Sequence, residues 1–564
     1  MTILSSIAAV DPTPVDQWIA AQADLSAVER FAQRHEGELL HRQERYYRDL
    51  LPTRAPQPGQ QYGFAVDLDA CTGCKACVAA CHSLNGLDDG ESWRTVTTLT
   101  GGVVGAPRQQ TATAACHHCV DPACLAGCPV DAYEKDPITG IVAHLDDQCI
   151  GCSYCTLTCP YEVPVYNHRR GIVRKCDMCA SRLAVGEAPA CVQACPNGAI
   201  AITIVDTATV VAASAQGAVL PGAPPSAITA PTTVYRSVRE HATGDGPALA
   251  PPGLALAPPG PALAPPDGPA RRHTPLAVML VLTQLSVGAF VVDFVLRLLT
   301  TGSAGARPAF DAVVAAAAGA VALGASVLHL GRPQYAYRAV IGLRHSWLSR
   351  EVVAFGAFMG LAALYATVVW LGPSSGSSRS DALGAAVALL GISGVACSVL
   401  IYTTTHRSSW RPVCVTAKFA CSAAICGLAA VLWASNVSAL LRGAELVFDP
   451  TVVRQPVLLL VLAALVAAKA LAEATVFRHR YRRDDAEGSR RARLLTRDLR
   501  STTVARFSLG VAAGVALPLL WAALDGADQA SWLSVVAATL VLTGVVASEL
   551  AERTLFFTAA SAPR

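Results

Sequence analysis

The sequence predicts a chain of two unlike parts, an α+β domain rich in cysteine followed by an all-α bundle of eight transmembrane helices. Sixteen of the 20 cysteines lie between Cys71 and Cys195. Eight apolar stretches follow residue 273, each near the ~20 residues that cross a bilayer. Charged residues make up only 15% of the 564 residues, against about 25% in ordinary soluble domains. The basic residues form no stripe with interleaved aromatics, so we expect no nucleic-acid binding.

Changes of composition set the expected boundaries of five segments. They are an N-terminal helical extension (1–60), the cysteine-rich domain (61–236), a Pro/Ala-rich linker (237–272), the membrane bundle (273–557) and a tail (558–564). Ser26 to Leu51 is typical of a charged helix with Ser26 as N-cap, either a solvated helix or a docking arm for a partner. Alternation from Tyr62 to Leu68 indicates a strand. The linker repeats Ala-Leu-Ala-Pro-Pro three times, which favours extended polyproline II.

The cysteines form four groups whose spacing is typical of bacterial iron–sulfur proteins. Close spacing lets three thiolates converge on one cubane from a tight loop, while the fourth points to a different cluster. Zinc would favour two separated C-x-x-C pairs for each site, and disulfides would suit a small secreted framework. The spacing therefore predicts four 4Fe-4S clusters. The groups are Cys71, Cys74, Cys77 and Cys81; Cys116, Cys119, Cys124 and Cys128; Cys149, Cys152, Cys155 and Cys159; and Cys176, Cys179, Cys191 and Cys195.

Residues 61–236 resemble the four-cluster iron–sulfur subunits of the dimethyl sulfoxide reductase family. The phrases Cys149-Ile-Gly-Cys-Ser-Tyr-Cys-Thr-Leu-Thr-Cys-Pro-Tyr161 and Arg174-Lys-Cys-Asp-Met-Cys179 carry the resemblance. It implies a double ferredoxin-like fold in which the first group pairs with the fourth and the second with the third. The implied sets are Cys71, Cys74, Cys77 and Cys195 (set 1); Cys176, Cys179, Cys191 and Cys81 (set 2); Cys116, Cys119, Cys124 and Cys159 (set 3); and Cys149, Cys152, Cys155 and Cys128 (set 4). Set 1 would lie nearest a molybdenum subunit and set 4 nearest the membrane. Pro231 to Tyr235 resembles the tail that such subunits lay against their anchors.

The apolar half should contain eight spans, placed at 274–298, 308–330, 349–372, 382–404, 411–434, 453–475, 504–524 and 531–555. Ionisable residues at membrane depth cost roughly 2.5 to 3.5 kcal/mol at a helix centre, so those present need a reason. His329 ends the second span and Glu351 opens the third, and the single loop between them places both on one membrane face. They are either ordinary interfacial residues or parts of a site.

Residues 274–557 resemble the membrane anchor subunit of the same family, through Thr283-Gln-Leu-Ser-Val-Gly288, Leu328-His-Leu-Gly-Arg-Pro333, Ser346-Trp-Leu-Ser-Arg-Glu351 and Ser548-Glu-Leu-Ala-Glu-Arg553. The resemblance implies that His329 and Glu351 belong to a menaquinol site. Quinol oxidation releases two protons, so a nearby base is required, with Arg332 and Arg350 tuning its acidity. A haem anchor would need axial histidines within spans, so we expect no haem.

The two resemblances together imply a fused electron-transfer and anchor subunit. It would draw electrons from menaquinol in the membrane quinone pool and pass them through the clusters to a separate molybdopterin catalytic subunit. Three alternatives remain open: the same wire run in reverse from a substrate such as formate, a polysulfide-reductase-type anchor, and a cluster-gated transporter or sensor. The last predicts broken spans with an internal repeat, which the sequence does not display.

Arginines are concentrated on one membrane face. With eight spans, this is the face of the cysteine-rich domain and of the loops after the second, fourth and sixth spans. Short loops rich in arginine and lysine stay on the cytoplasmic side. We therefore expect a multi-pass protein of the cytoplasmic membrane whose clusters face the cytoplasm, with the periplasmic side as the alternative. The favoured face includes Arg271, Arg272, Arg332, Arg338, Arg350, Arg407 and Arg497, and the opposite face Arg297, Arg307, Arg379, Arg442 and Arg454.

Overall fold

Short strands and single-turn helices alternate with the cysteine groups in the first part of the chain. The computed structural model describes residues 13–15, 17, 44–103, 106–220, 223–237, 255–256, 270–299, 309–371, 378–442, 455–481, 486–524 and 531–560. The strands are β1 (Gln60–Asp67), β2 (Thr95–Val103), β3 (Ala106–Ala114), β4 (Tyr133–Lys135), β5 (Val142–His144), β6 (Val165–Asn167), β7 (Ile172–Arg174), β8 (Ile200–Asp206), β9 (Val234–Arg236) and β10 (Ala255–Leu256).

Strand β1 holds the two ends of this domain together. It pairs antiparallel with β8, from Gln60 opposite Asp206 to Val66 opposite Ile200, and parallel with β9. Phe64 and Val66 are buried, so the alternation that predicted a strand also supplies core residues. The hairpins β2–β3, β4–β5 and β6–β7 separate the cysteine groups. The result is the double ferredoxin-like fold, as predicted.

Short helices begin within or just after each cysteine group. They span Ala76–Asn85, Ala123–Gly127, Tyr154–Thr158, Ala180–Ala184 and Ala190–Gln193. The last cysteine of each group therefore lies on or near one of these helices, whereas Ala180–Ala184 follows Cys179 within the fourth group. A further helix, Thr207–Ser214, follows β8, and its N-cap Asp206 accepts a hydrogen bond from the Thr209 amide at 2.8 Å.

Three expectations from the sequence concern segments at the domain edges. The charged helix predicted from Ser26 lies outside the described residues as far as position 43. Its remaining part is helical at Glu44–Tyr47 and in the turn Arg48–Leu50. Most of the proline-rich tract also lies outside them, apart from Ala255–Leu256, which pairs with β2. The segment ending at Tyr235 was expected against the anchor. Instead it supplies β9, and its Thr232 donates a hydrogen bond to the His117 carbonyl at 2.7 Å, within the cysteine-rich domain.

Among the described residues, eight helices of the second part are long and apolar enough to cross a membrane, which confirms the predicted fold class. They span Ala270–Leu299, Ala309–Leu328, Trp347–Leu371, Ser378–Thr403, Pro412–Arg442, Gln455–Ala474, Arg500–Ala523 and Trp532–Ala560. The seventh contains a π-helical turn at Ala512–Ala516. Shorter helical pieces, Pro333–Val340, Ser408–Trp410, Thr475–Tyr481 and Ala486–Thr496, connect or extend them.

The first spanning helix lies at the centre of the bundle. It packs against the second, fourth, fifth and eighth helices, and two-thirds of its apolar stretch is buried. Its closest contact is with the fifth helix, where a Cβ atom on Gly288 would lie 3.1 Å from the Cα atom of Gly427. Small residues permit such close backbone approach between helices in lipid.

Candidate functional site

The cysteines of set 1 line one cavity. Cys71, Cys74, Cys77 and Cys195 surround about 310 Å³ of space not filled by atoms, together with residues such as Thr113. Three of the four come from the loop and first helical turn after β1, and Cys195 comes from the far end of the domain. The β1–β8 pairing brings these two regions together.

The cysteines of set 3 line a second cavity. Cys116, Cys119, Cys124 and Cys159 border about 380 Å³, and the Lys175 side chain also reaches it. Cys116 and Cys119 come from the loop after β3, and Cys124 from the helix Ala123–Gly127. Cys159 directly follows the helix Tyr154–Thr158. The structure therefore places Cys159 of the third group beside three cysteines of the second group, which is the arrangement that an exchange of cysteines requires.

The other two sets are also brought together. Cys81 lies within electrostatic range of Cys179 and Cys191, and Cys176 lies within range of both Cys81 and Cys191. In set 4, Cys155 lies within range of the remaining three members: Cys128, Cys149 and Cys152. None of the sixteen cysteines of the four groups forms a disulfide.

The chemistry of these thiols fits iron–sulfur clusters. Burial raises the pKa of Cys119 and Cys155 well above the ordinary value and that of Cys128 to about 11. Such thiols would stay protonated without a nearby positive charge, and cluster iron supplies that charge to thiolate ligands. Among the described residues, no three Cys, His, Asp or Glu side chains converge closely enough for a single metal ion.

Buried basic groups lie between successive sets. The Arg94 side chain lies within electrostatic range of Cys77 in set 1 and of Cys176 and Cys191 in set 2. Lys175 is placed similarly between Cys176 in set 2 and Cys116 in set 3. Cationic groups there would offset the negative charge of thiolate-bound clusters. The spacing of cysteines gave no signal for Arg94, whereas Lys175 stands next to Cys176 in the sequence.

The loop between the second and third spanning helices docks on the cysteine loops of set 4. The amide of Gly331 faces the Gly151 carbonyl at 3.4 Å, and the amide of Arg332 donates to the Ile150 carbonyl at 3.1 Å. Gly151 lies between Cys149 and Cys152 in the sequence. The anchor backbone therefore contacts the backbone that carries the set 4 thiols.

The same loop contacts the other side of set 4. His345 Nε2 lies 3.0 Å from the Cys128 carbonyl oxygen. Ser346 Oγ donates to the Gly127 carbonyl at 2.8 Å, and Ser349 Oγ donates to the Pro129 carbonyl at 3.3 Å. Set 4 is thus held between two ends of one anchor loop.

Glu351 and His329 occupy different environments near this junction. Glu351 is 3% exposed and accepts a hydrogen bond from Ser398 of the fourth helix. His329 lies just beyond the second span, and its Nδ1 is buried with no hydrogen-bond partner among the described residues. Burial lowers the pKa of His329 more than the nearby Ser326 backbone raises it, so the neutral imidazole is favoured. A neutral imidazole with a free nitrogen can bind a hydroxyl group or accept a proton.

The two candidate arginines donate to backbone carbonyl oxygens and not to Glu351. Arg332 donates to the Asp146 carbonyl at 2.8 Å. Arg350 donates to the carbonyl oxygens of Leu343 and Arg344 at 3.1 and 2.6 Å, and stacks on Trp347. Their guanidinium groups hold the loop and its docking contacts in place. That they tune the acidity of Glu351 or His329 stays a prediction.

Tyr154 joins set 4 to the carboxylate. It stands between Cys152 and Cys155 in the sequence, and its hydroxyl donates to the Ile401 carbonyl at 2.8 Å. The hydroxyl also lies within electrostatic range of Glu351. Sequence reasoning missed Tyr154 and Ser398 because a single tyrosine or serine beside a motif carries no spacing signal.

A further contact fixes the loop after the fourth helix. Arg407 is buried and donates to the carbonyl oxygens of Leu157 and Thr156 at 3.1 and 3.2 Å, and it pairs with Glu162 at 3.3 Å. The loops after the second and fourth helices therefore lie on the same membrane face as the cysteine-rich domain.

Comparison with known proteins agrees with both halves of this arrangement. The model of the 4Fe-4S dicluster domain family matches residues 108–205. The B subunit of anaerobic dimethyl sulfoxide reductase from Haemophilus influenzae is 37% identical over 186 residues, which cover 31% of this chain and 89% of that protein. Its Escherichia coli counterpart is 40% identical over 148 residues, 25% of this chain and 72% of that protein. The formate dehydrogenase-O iron–sulfur subunit of Escherichia coli is 35% identical over 173 residues, 26% of this chain and 56% of that protein.

The second half matches a different family model. The DMSO reductase anchor subunit model covers residues 270–558, just over half of the chain. Similarity to the B subunits covers under a third of the sequence, so the two matches account for separate parts of it. The chain therefore belongs to the dimethyl sulfoxide reductase family, as a fusion of its iron–sulfur electron-transfer subunit with its membrane anchor subunit.

Proposed function

We propose that this protein oxidises menaquinol in the membrane and passes the electrons through four 4Fe-4S clusters to a separate molybdopterin catalytic subunit. One observation carries the proposal: the loop that connects His329 to Glu351 docks on both sides of set 4. A quinol bound beside these residues would therefore lie next to the cysteines that we assign to the membrane-proximal cluster. Sets 1 to 4 are the proposed ligand sets of the four clusters.

The proposed quinol site separates protons from electrons. A 4Fe-4S cluster takes up one electron at a time and no proton. The two protons of the quinol therefore need acceptors among side chains. Glu351 is the acceptor that we propose, because its carboxylate is buried and accepts a hydrogen bond from the Ser398 hydroxyl, which leaves it able to take up a proton. His329 would bind the second quinol oxygen through its Nδ1, which has no partner among the described residues.

Electron flow in the opposite direction is the second candidate function. The relatives include a hydrogenase-2 operon protein, 38% identical over 173 residues, and the formate dehydrogenase-O iron–sulfur subunit. The chain spans about half the length of these two. In such a complex the catalytic subunit would oxidise its substrate, and the same site would reduce quinone. Glu351 and His329 would then deliver protons instead of accepting them.

We infer that the iron–sulfur domain faces the cytoplasm, in a cytoplasmic membrane. The supporting observation is the excess of arginine on its face, but part of that excess has another physical reason. Arg332, Arg338 and Arg407 donate to backbone carbonyl oxygens of the iron–sulfur domain. The inference therefore depends on the arginines outside the docking surface, such as Arg493 and Arg497 between the sixth and seventh spanning helices.

The proposed function can be tested on the full-length protein in detergent or nanodiscs. Oxidised protein is mixed with menadiol, a soluble menaquinol analogue, and cluster reduction is followed as bleaching of the visible absorbance. Dithionite serves as the control donor because it needs no quinol site. We expect both donors to bleach the clusters, and a molybdopterin protein to copurify from the native membrane. Bleaching by dithionite alone would refute quinol oxidation by this chain.

A further inference from the structure

The last four spanning helices bury a group of charged side chains that the quinol site does not use. We call it the ionic cluster. Its members are Lys418 of the fifth helix, Lys469 and Glu473 of the sixth, Arg506 of the seventh, and Glu549, Glu552 and Arg553 of the eighth. Side-chain exposure runs from 0% at Arg553 to 23% at Lys418. Charges at membrane depth are costly, and they commonly mark ion pathways or proton relays.

Two chains of contacts make up the ionic cluster. In the first, Glu552 pairs with Arg553 and accepts from Lys418 Nζ at 2.6 Å. In the second, Glu549 pairs with Lys469 and lies 3.3 Å from Arg506, which in turn donates to Glu473 at 3.1 Å.

Ser422 of the fifth helix joins the two chains. Its hydroxyl donates to Glu549 at 2.6 Å and accepts from Lys469 and Arg553 at 2.8 and 3.0 Å. The ionic cluster is therefore one continuous hydrogen-bonded network.

Unpartnered polar atoms show that the network extends beyond its side chains. Gln284 Nε2 and Arg553 Nε are buried and have no hydrogen-bond partner among the described residues. Both side chains are almost fully enclosed, at 1% and 0% exposure. Buried polar groups in native proteins are normally satisfied, and ordered water commonly satisfies them. These atoms therefore point to water within the network.

The charge balance argues against a metal-ion site. The ionic cluster has four basic side chains against three carboxylates, and each carboxylate already pairs with a lysine or arginine. A hard cation needs carboxylate or carbonyl oxygens that are free to coordinate it. A path for protons requires only that side chains and water exchange hydrogen bonds.

Tyr402 connects the ionic cluster to the quinol site. Its ring packs on Phe556 at 5.2 Å and Phe419 at 5.8 Å between centroids, and the Arg553 guanidinium lies 4.2 Å from the Phe419 centroid. Glu351 and Arg553 both lie within electrostatic range of Tyr402. Tyr402 is therefore close both to Glu351, the proposed proton acceptor, and to Arg553 of the ionic cluster.

The outer end of the ionic cluster points to the face that holds the iron–sulfur domain. Lys418 lies six residues after the start of the fifth span and Glu473 five before the end of the sixth, which is roughly 7 to 9 Å along each helix. Glu549 lies ten residues before the end of the eighth span, about 15 Å deep. Lys418 is also the most exposed member.

We propose that Tyr402 and the ionic cluster form the route by which quinol protons leave Glu351 for the membrane face of the iron–sulfur domain. This inference rests on the proposed quinol oxidation. Each quinol gives two electrons, one at a time, to the iron–sulfur domain and two protons to side chains. Glu351 passes each proton to the Tyr402 oxygen as the Tyr402 hydroxyl proton moves on through water to Glu552. Glu552 releases it beside Lys418, so every side chain returns to its starting state.

The test measures menadiol-driven bleaching of the full-length protein in nanodiscs for Tyr402→Phe, Glu552→Gln and Glu351→Gln. Asp293→Asn is the matched control, because Asp293 is a buried carboxylate of the first helix that pairs with Arg297 outside the ionic cluster. We expect Tyr402→Phe and Glu552→Gln to slow bleaching about tenfold, within the ~100-fold that a positioned proton acceptor supplies. Dithionite bleaching and iron content should match the unaltered protein in all four variants.

The outcomes separate this inference from the proposed function. Bleaching within twofold of the unaltered rate in Tyr402→Phe and Glu552→Gln, with Glu351→Gln inactive, would make the ionic cluster a structural clamp and overturn the route. Unchanged bleaching in Glu351→Gln would overturn the quinol site itself. Should Glu552→Gln fail to assemble, Tyr402→Phe decides, because it removes one hydroxyl and no charge.

Discussion

Gly331 of the anchor lies directly against Gly151 of the iron–sulfur domain, and a Cβ atom on Gly151 would come within 2.9 Å of the Gly331 Cα atom. A methyl group on Gly331 would overlap the Gly171 carbonyl and lie 2.6 Å from the Tyr166 hydroxyl. The backbones of the two domains can therefore meet beside set 4 only while both positions lack a side chain.

Gly331→Ala should push the docking loop away from set 4. Because electron transfer requires close approach, we expect menadiol bleaching to fall about tenfold or more, while cluster content and dithionite bleaching are retained. Gly324→Ala is the matched control, since a Cβ atom there would meet nothing within 4 Å. Equal bleaching rates in the two variants would show that the glycine contact does not set the distance between the docking loop and set 4.

Iron content tests the assignment of all four sets. Anaerobically purified protein should contain about sixteen iron atoms, four for each cubane. Cys152→Ser should lose or alter only the membrane-proximal cluster, as seen by electron paramagnetic resonance, because Cys152 belongs to set 4 alone. Cys414→Ser, at an exposed thiol in the fifth helix, should change nothing. Bound zinc with little iron would contradict the cluster assignment.

Arg94 should raise the reduction potentials of the clusters held by sets 1 and 2. Its guanidinium is buried between them, above the Phe64 ring at 4.6 Å, and donates to Thr113 Oγ1 at 3.2 Å. Removing a buried positive charge disfavours the more negative, reduced cluster. Potentiometric titration of Arg94→Met should give potentials lower by on the order of 60 mV, about 1.4 kcal/mol for one electron. Arg236→Met, at an exposed position of β9, should leave them unchanged.

Glu351→Gln should abolish bleaching by menadiol and leave bleaching by dithionite intact. The amide keeps the size of the side chain and can still bond to Ser398, but it cannot accept a quinol proton. Asp311→Asn is the control, because Asp311 is a buried carboxylate near the start of the second helix that accepts from Ser435 at 3.3 Å. Loss of activity in both variants would indicate a general effect on the bundle.

A topology reporter tests the proposed orientation. With eight spans and a cytoplasmic iron–sulfur domain, a reporter active only in the periplasm should stay silent when fused after Arg564. The same reporter fused after Ser303, between the first and second spans, should be active. The reverse pattern would place the clusters and the released quinol protons outside the cytoplasm.

Most of the fold, but only part of the candidate site, could be predicted from the sequence. Cysteine spacing and apolar length are local signals, so they predicted the four groups and the eight helices directly. Arg94 and Tyr402 gave no such signal, because their roles depend on the rotation of strands and helices about their axes, which only tertiary packing sets. The bonding partners of Arg332 and Arg350 could not be predicted for the same reason. Their acceptors are backbone carbonyl oxygens, and no sequence pattern marks a carbonyl as an acceptor.

Most docking bonds between the two domains end on main-chain oxygens of the iron–sulfur side, at Gly127, Cys128, Pro129, Asp146, Asp147, Ile150, Gly151, Thr156 and Leu157. Every residue type presents such an oxygen, so substitutions at positions other than the cysteines and the close-packed glycines leave the acceptors in place. The donors, such as Arg332, His345 and Arg407, have no such freedom. Among homologues, we therefore expect the residue type to vary at the acceptor positions and to stay the same at the donor positions.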